Sequence, residues 1–389
     1  MDIPITKTVF GEEELRAVQM PLESGWVVQG PYVRNFEERF GAFVESPFSV
    51  ATSNCTTALH LAVVTLGLQP GDEVIVPAFT WIATANVIEY AGARPVFCDI
   101  DLATFNIDVA QAAALVTSRT VGIMPVHLFG LCADMPAVME LAGRHGLWVI
   151  EDAACGLGAR CERQHAGTFG DAGCFSFHPR KAITTGEGGM LITRSSEIDR
   201  LARSLRDHGA DRSDLVRHEN SLSFLLPTYN YLGYNYRMTD IQGALGCAQM
   251  DRLNWILSER RRLAARYDTL LADVPFLATP AVPDGYEHGY QSYVCLFRPE
   301  DPTLVKLDAL RQCRDELMSR LEYEGIASRQ GTHAPVTCGY YASKYELRHE
   351  AYVNAVVAEN LTLTLPLYPQ MTDEDQDRVV ASITRAGVL

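Results

Sequence analysis

Lys181 is the first residue of this chain with a chemistry of its own. Only four of the 33 basic residues are lysine: Lys7, Lys181, Lys306 and Lys344. A chain that otherwise chooses arginine thus keeps a single lysine between positions 8 and 305. Arginine cannot replace lysine where a neutral amine must attack a carbonyl, because guanidinium stays protonated. Lys181 lies in GCFSFHPRKAITTGEGGMLIT (173–193), after a strand-like run and before a glycine-rich turn. Ser176, five residues earlier, could donate a hydrogen bond to an anion beside the amine. The segment also reads as a surface loop holding one lysine and a tight turn.

Three further positions could serve such an amine. Asp152 ends the run LWVIED and precedes the small residues AACGLGA. A carboxylate at a strand end can pair with a protonated ring nitrogen and make that ring a better electron sink; it can equally cap a helix. SVATSNCTTALHLAVV (49–64) reads as strand, polar turn and helix, the helix starting near Thr56. Hydroxyls and free N–H groups at a helix start form a phosphate cradle, although simple capping explains the same residues. Trp81, in VPAFTWIATAN, follows a strand end where a ring can stack on a planar ligand or merely fill a core.

These residues need elements to hold them. From about 48 to 195, strand-like runs (74–78, 93–100, 121–128, 147–152, 173–177, 189–193) alternate with helical segments such as 56–68 and 135–146. That rhythm predicts an α/β fold: a mostly parallel sheet sandwiched by helices, with ligands at the strand carboxyl ends. Helices are expected on both sides of a loop from Trp26 to Pro31 and from Asp240 onward. A smaller C-terminal α/β domain has a strand at 290–297 and a helix at 307–325. The expected division is 1–250, the large domain with its N-terminal segment, and 251–389, a connector helix and the small domain.

With 389 residues, 47% of them hydrophobic, the chain has length for two cores. No signal-peptide pattern opens it and no run of eighteen apolar residues follows, so a soluble, cytoplasmic protein without membrane partners is expected. The ten cysteines lack CxxC spacing, which favours reduced thiols and no metal. A formal charge of −15 disfavours nucleic acid.

Six motifs in order, SNCTTALHLA, PAFTWIATAN, PVHLFG, EDAACGLGA, SFHPRKAITTGEGG and LGYNYRMTDIQGALG, resemble those of the DegT/StrS-type sugar aminotransferases. These are pyridoxal-phosphate (PLP) enzymes of the aspartate-aminotransferase fold (fold type I). The resemblance covers nearly the whole chain. It implies that Lys181 holds the cofactor as a Schiff base and that Asp152 pairs with its ring nitrogen. Trp81 would stack on the ring, and Cys55, Thr56 and Ser176 would bind its phosphate, Cys55 through its backbone N–H. It further implies that Asn235 reaches the phosphate of the neighbouring subunit, hence a homodimer with shared active sites. Cys155 departs from the family, which commonly has glutamine or histidine there. His178, Arg329 and His333 are candidate substrate contacts.

The implied reaction passes an amino group from L-glutamate to a nucleotide-linked keto sugar, preferably an NDP-4-keto-6-deoxyhexose. Asp152 would be catalytic with Lys181, whose neutral amine desolvation and the nearby cationic ring system would favour. Competing readings are a keto-cyclitol aminotransferase, a dehydratase of the same fold that works on the pyridoxamine form (PMP), and a regulatory or binding module. The dehydratases typically carry histidine in place of the lysine, and a module would be expected to lose the lysine or the aspartate.

Overall fold

In the computed structural model, residues 1–213, 215 and 226–387 are described. Seven strands form the central sheet: β1 (Phe48–Thr52), β2 (Glu73–Pro77), β3 (Arg94–Cys98), β4 (Thr120–Ile123), β5 (Trp148–Asp152), β8 (Ala172–Ser176) and β9 (Gly189–Thr193). Their order is β1-β9-β8-β5-β4-β2-β3. The run β3-β2-β4-β5-β8 is parallel, and β9 pairs antiparallel with both β8 and β1. The short strands β6 (Arg160–Cys161) and β7 (Gln164–His165) form a separate small sheet with β11 (Tyr286–Glu287).

Consecutive side chains of these strands enter opposite cores, as the pleat requires. Val74, Val76, Ile150 and Leu191 pack beneath helices α3 (Cys55–Thr65), α4 (Ala83–Tyr90) and α7 (Ser196–Leu205). On the other face, Ile75 and Val149 meet α5 (Val109–Ala114) and α6 (Met135–His145). There too, Phe175, Met190 and Ile192 meet α2 (Pro31–Val44) and the long helix Asp240–Leu270. Apolar residues therefore fill most of the sheet interior on both faces, and β2 is buried from end to end.

The long helix begins at a capping box, Thr239 accepting from the Gln242 N–H. Asp240 Oδ1 accepts from the N–H groups of Gly30 and Val33, both at 2.9 Å, which ties the start of α2 to it. Beyond it, β10 (Leu277–Ala278), β12 (Tyr293–Phe297) and β13 (Thr362–Leu365) make an antiparallel sheet with its own core. Helices Leu307–Tyr323 and Asp373–Ala386 contribute to that core. The first residues of the chain join it too, through a bridge between Ile3 and Ile326.

One strand ends earlier than its pattern predicts. The apolar run 121–128 gives only β4, ending at Ile123, because Pro125 has no N–H for the ladder. The chain then crosses to β5: Asp152 N–H donates to Pro125 O at 2.9 Å, and His127 N–H to Asp152 O at 3.0 Å.

Candidate active site

Asp152, Cys55, Ser176 and Trp81 all lie at or just past the carboxyl ends of parallel-directed strands, β5, β1, β8 and β2 respectively. One edge of the sheet thus gathers residues separated by a hundred positions in the chain. Lys181 follows β8 in the same edge loop. Its Nζ donates to Cys155 Sγ at 3.0 Å, placing the amine over the turn that follows Asp152.

Asp152 is 4% exposed. Oδ2 accepts from Thr84 Oγ1 at 2.7 Å and Oδ1 from Ala154 N–H at 3.1 Å. Burial raises its pKa, and the Thr84 and Ala154 bonds with the more distant Lys181 only partly oppose this. The site therefore holds a carboxylate short of positive charge. For Lys181, burial alone would favour the neutral amine. Cys155 foremost, then Cys55 and Asp152, outweigh it and push the pKa above the usual lysine value.

PVHLFG supports this floor from behind. Glu151, next to Asp152 on β5, must point to the opposite face. There it accepts from the N–H groups of Gly167, Phe169 and Gly170 at 2.7–2.8 Å and lies 2.8 Å from His127 Nε2. Burial opposes a charge on His127, whereas Cys132 and Glu151 favour one and carry the net direction upward. The Ala133 N–H decides for the neutral ring. It donates to Nδ1 at 3.1 Å, so the single ring proton sits on Nε2 and is given to Glu151.

At α3, Asn54 Oδ1 caps the helix by accepting from Thr57 N–H at 2.9 Å. The preceding N–H groups, those of Cys55 and Thr56, are the orphan donors of the first turn. Strand β9 presses against this turn. A Cβ at Gly189 would stand 2.4 Å from the Asn54 carbonyl, so only glycine fits. Ser176 Oγ accepts weakly from His178 N–H at 3.4 Å.

Trp81 is 60% exposed and is not a core residue. Its ring centroid lies 6.1 Å from that of His333, and Thr80 N–H donates to His333 O at 3.1 Å. Segment 329–335, anchored by the Arg329 bridge to Thr364 on β13, thereby meets the sheet edge. His178 Nδ1 accepts from Arg180 N–H at 3.2 Å. Burial lowers the His178 pKa, and Lys181, Arg180 and Arg329 add to this against Glu187. The structure thus brings Lys181, His178 and Arg329 into one electropositive neighbourhood.

Asn235 stands apart. Tyr234 and Tyr236 stack on each other 4.8 Å apart, and His60 Nδ1 on α3 lies 3.0 Å from the Tyr236 hydroxyl. Asn235, between them, is exposed. Sequence reasoning missed Thr84 and the His127–Glu151 pair. Strand alternation flags Glu151, but nothing local pairs Thr84 with a residue 68 positions away.

A ring that brings a cation to Asp152, an aldehyde to Lys181 and a phosphate to the α3 N-terminus suits these residues on each count. The model of the DegT/DnrJ/EryC1/StrS aminotransferase family matches residues 9–384. A Bacillus subtilis protein described as spore coat polysaccharide biosynthesis protein SpsC is 37% identical over 382 residues, covering 98% of this chain and 96% of the relative. A GDP-perosamine synthase of Caulobacter vibrioides is 38% identical over 377 residues, 94% of this chain and 93% of the relative. The solved PMP form of a putative sugar aminotransferase, Spr1654 from Streptococcus pneumoniae, has a TM-score of 0.90 at 27% identity, covering 99% and 98%.

Proposed function

Because this chain belongs to the DegT/DnrJ/EryC1/StrS aminotransferase family, we propose that it passes an amino group from L-glutamate to a nucleotide-linked keto sugar, with an NDP-4-keto-6-deoxyhexose as acceptor. It is a PLP-dependent aminotransferase with the fold of that enzyme class. The observation that carries the reading is the Lys181 amine, held 3.0 Å from Cys155 over the turn that follows a buried, charge-deficient Asp152. A lysine so placed also supports transamination over the dehydratase reaction. The relative named GDP-perosamine synthase supports a nucleotide-linked acceptor.

When bound, pyridoxal phosphate supplies an aldehyde for the amine and a protonated ring that takes up electrons. Lys181 Nζ anchors it and, once displaced, is the base that takes a proton from carbon and returns it. Asp152, its two oxygens fixed by Thr84 and Ala154, holds the ring proton in place. The N–H groups of Cys55 and Thr56, with Ser176, take the phosphate, and Trp81 covers the ring. Arg329, with His178 and His333, faces the anionic parts of donor and acceptor; the electropositive setting of His178 supports this. Asn235, turned outward by the tyrosine pair, serves the site of a second copy in a homodimer.

An absorbance spectrum with added PLP, before and after L-glutamate, tests the reading. Wild type should show a near-visible band that glutamate converts to the shorter-wavelength amine form. Lys181→Ala should lack the lysine-dependent band and lose roughly 10²–10⁴-fold in amine transfer, the range for a removed acid–base group. A wild-type protein with no such band sinks the proposal. Nucleotide-linked keto sugars then discriminate the acceptor from a keto-cyclitol.

A further inference from the structure

Of the ten free cysteines, seven are buried; Cys155, Cys313 and Cys338 are half-exposed. Among the described residues, Cys155 is the one whose sulfur receives an amine, at 3.0 Å from Lys181 Nζ. Accessible thiols in electropositive surroundings are the ones that oxidise. A sulfenic acid that forms beside a nitrogen nucleophile condenses with it.

We propose that Cys155 and Lys181 form a reversible oxidation site: when Lys181 is free of the cofactor, a hydroperoxide couples the two side chains through a sulfur–nitrogen bond. In the first step Cys155 Sγ attacks the peroxide. The O–O bond breaks as an S–O bond forms, sulfur loses two electrons, and the thiol proton passes to the departing oxygen, which leaves as water or an alcohol. In the second step the Lys181 amine attacks that sulfur. The S–N bond forms as the S–O bond breaks, and the hydroxyl leaves with an amine proton as water. A thiol reverses the link by attacking sulfur, returning its proton to the amine and leaving a mixed disulfide, which a second thiol resolves.

The link consumes the amine that must anchor the cofactor, so oxidation and cofactor loading exclude each other. That exclusion rests on Lys181 being the anchor; the link itself rests only on the pair's geometry. Full-length protein, with PLP and after its removal, is treated with hydrogen peroxide and mapped by peptide mass spectrometry. The cofactor-free protein should yield a cross-linked peptide joining positions 155 and 181, lighter by two hydrogens than its parts. Loss of the lysine-dependent absorbance on adding PLP back should accompany it, and dithiothreitol should reverse both. Bound PLP should suppress the link, Cys155→Ala and Cys155→Ser should abolish it, and Cys313→Ser should leave it intact. Recovery of Cys155 unlinked after peroxide overturns the inference, as does an equal loss of PLP binding in both Cys155 variants. Failure of the untreated wild type to show the absorbance band would strike the functional reading instead.

Discussion

Glu37 and Asp152 are both buried carboxylates, and the structure treats them in opposite ways. Glu37, on α2, lies against β1 at the edge of the sheet. It accepts from Ala51 N–H at 2.8 Å, from Arg203 at 2.7 Å and from Arg206. The two arginines also donate to the carbonyls of Ser49 and Ala51, so the cluster covers the free side of an edge strand. Burial pushes the Glu37 pKa up, but Arg206 and Arg203 more than compensate and the net direction is down. Asp152 is equally desolvated, yet its bonded partners are a hydroxyl and a backbone N–H, and its pKa ends raised. Glu37 is neutralised by the chain itself; Asp152 is left short of a cation that a ligand can bring.

The largest stability effect expected from this contrast comes from the compensated side. Glu37→Gln strands the buried Arg206, whereas the half-exposed Arg203 keeps Asp199, and should cost about 3–5 kcal/mol in denaturant unfolding. The folded pKa of Glu37 lies below its ordinary value of 4.5, so its contribution is present above that pH. It is lost as pH falls through the folded value. The gap between wild type and variant should therefore be full at neutral pH and close under acid; a gap that widens on acidification breaks the comparison.

An intermediate effect is expected at His127. His127→Phe leaves the Ala133 N–H and one Glu151 bond unmet and should cost about 1–3 kcal/mol. Glutamine can accept from one and donate to the other, so His127→Gln should recover most of that loss. If the two variants unfold alike, the neutral-ring assignment is wrong.

The smallest effect should be at Asp152, with the sign reversed. Its folded pKa is raised, so ionisation costs stability as pH rises through that value. Asp152→Asn should leave the cofactor-free protein unchanged or more stable, by on the order of 1 kcal/mol or less. The same variant should lose much of the thermal stabilisation that PLP gives wild type. A destabilised cofactor-free variant would place Asp152 with Glu37 as a structural residue.

Much of this was legible before any coordinates. Lys181 stood out because guanidinium cannot do an amine's chemistry, and Asp152 because it ends a buried apolar run. The helix start at Cys55–Thr56 was visible from its capping pattern. The α/β alternation was legible too, since strand and helix periods are local properties; the exception, 121–128, ended early at a proline whose effect is also local. What the tertiary structure decided was who meets whom. Cys155 beside Lys181, Thr84 on Asp152, His333 by Trp81 and the outward turn of Asn235 all depend on strand order and on the small sheet's docking. Such contacts join residues tens to hundreds of positions apart. Side-chain type and periodicity set what each segment can become, but only the packing of whole layers sets which segments are neighbours.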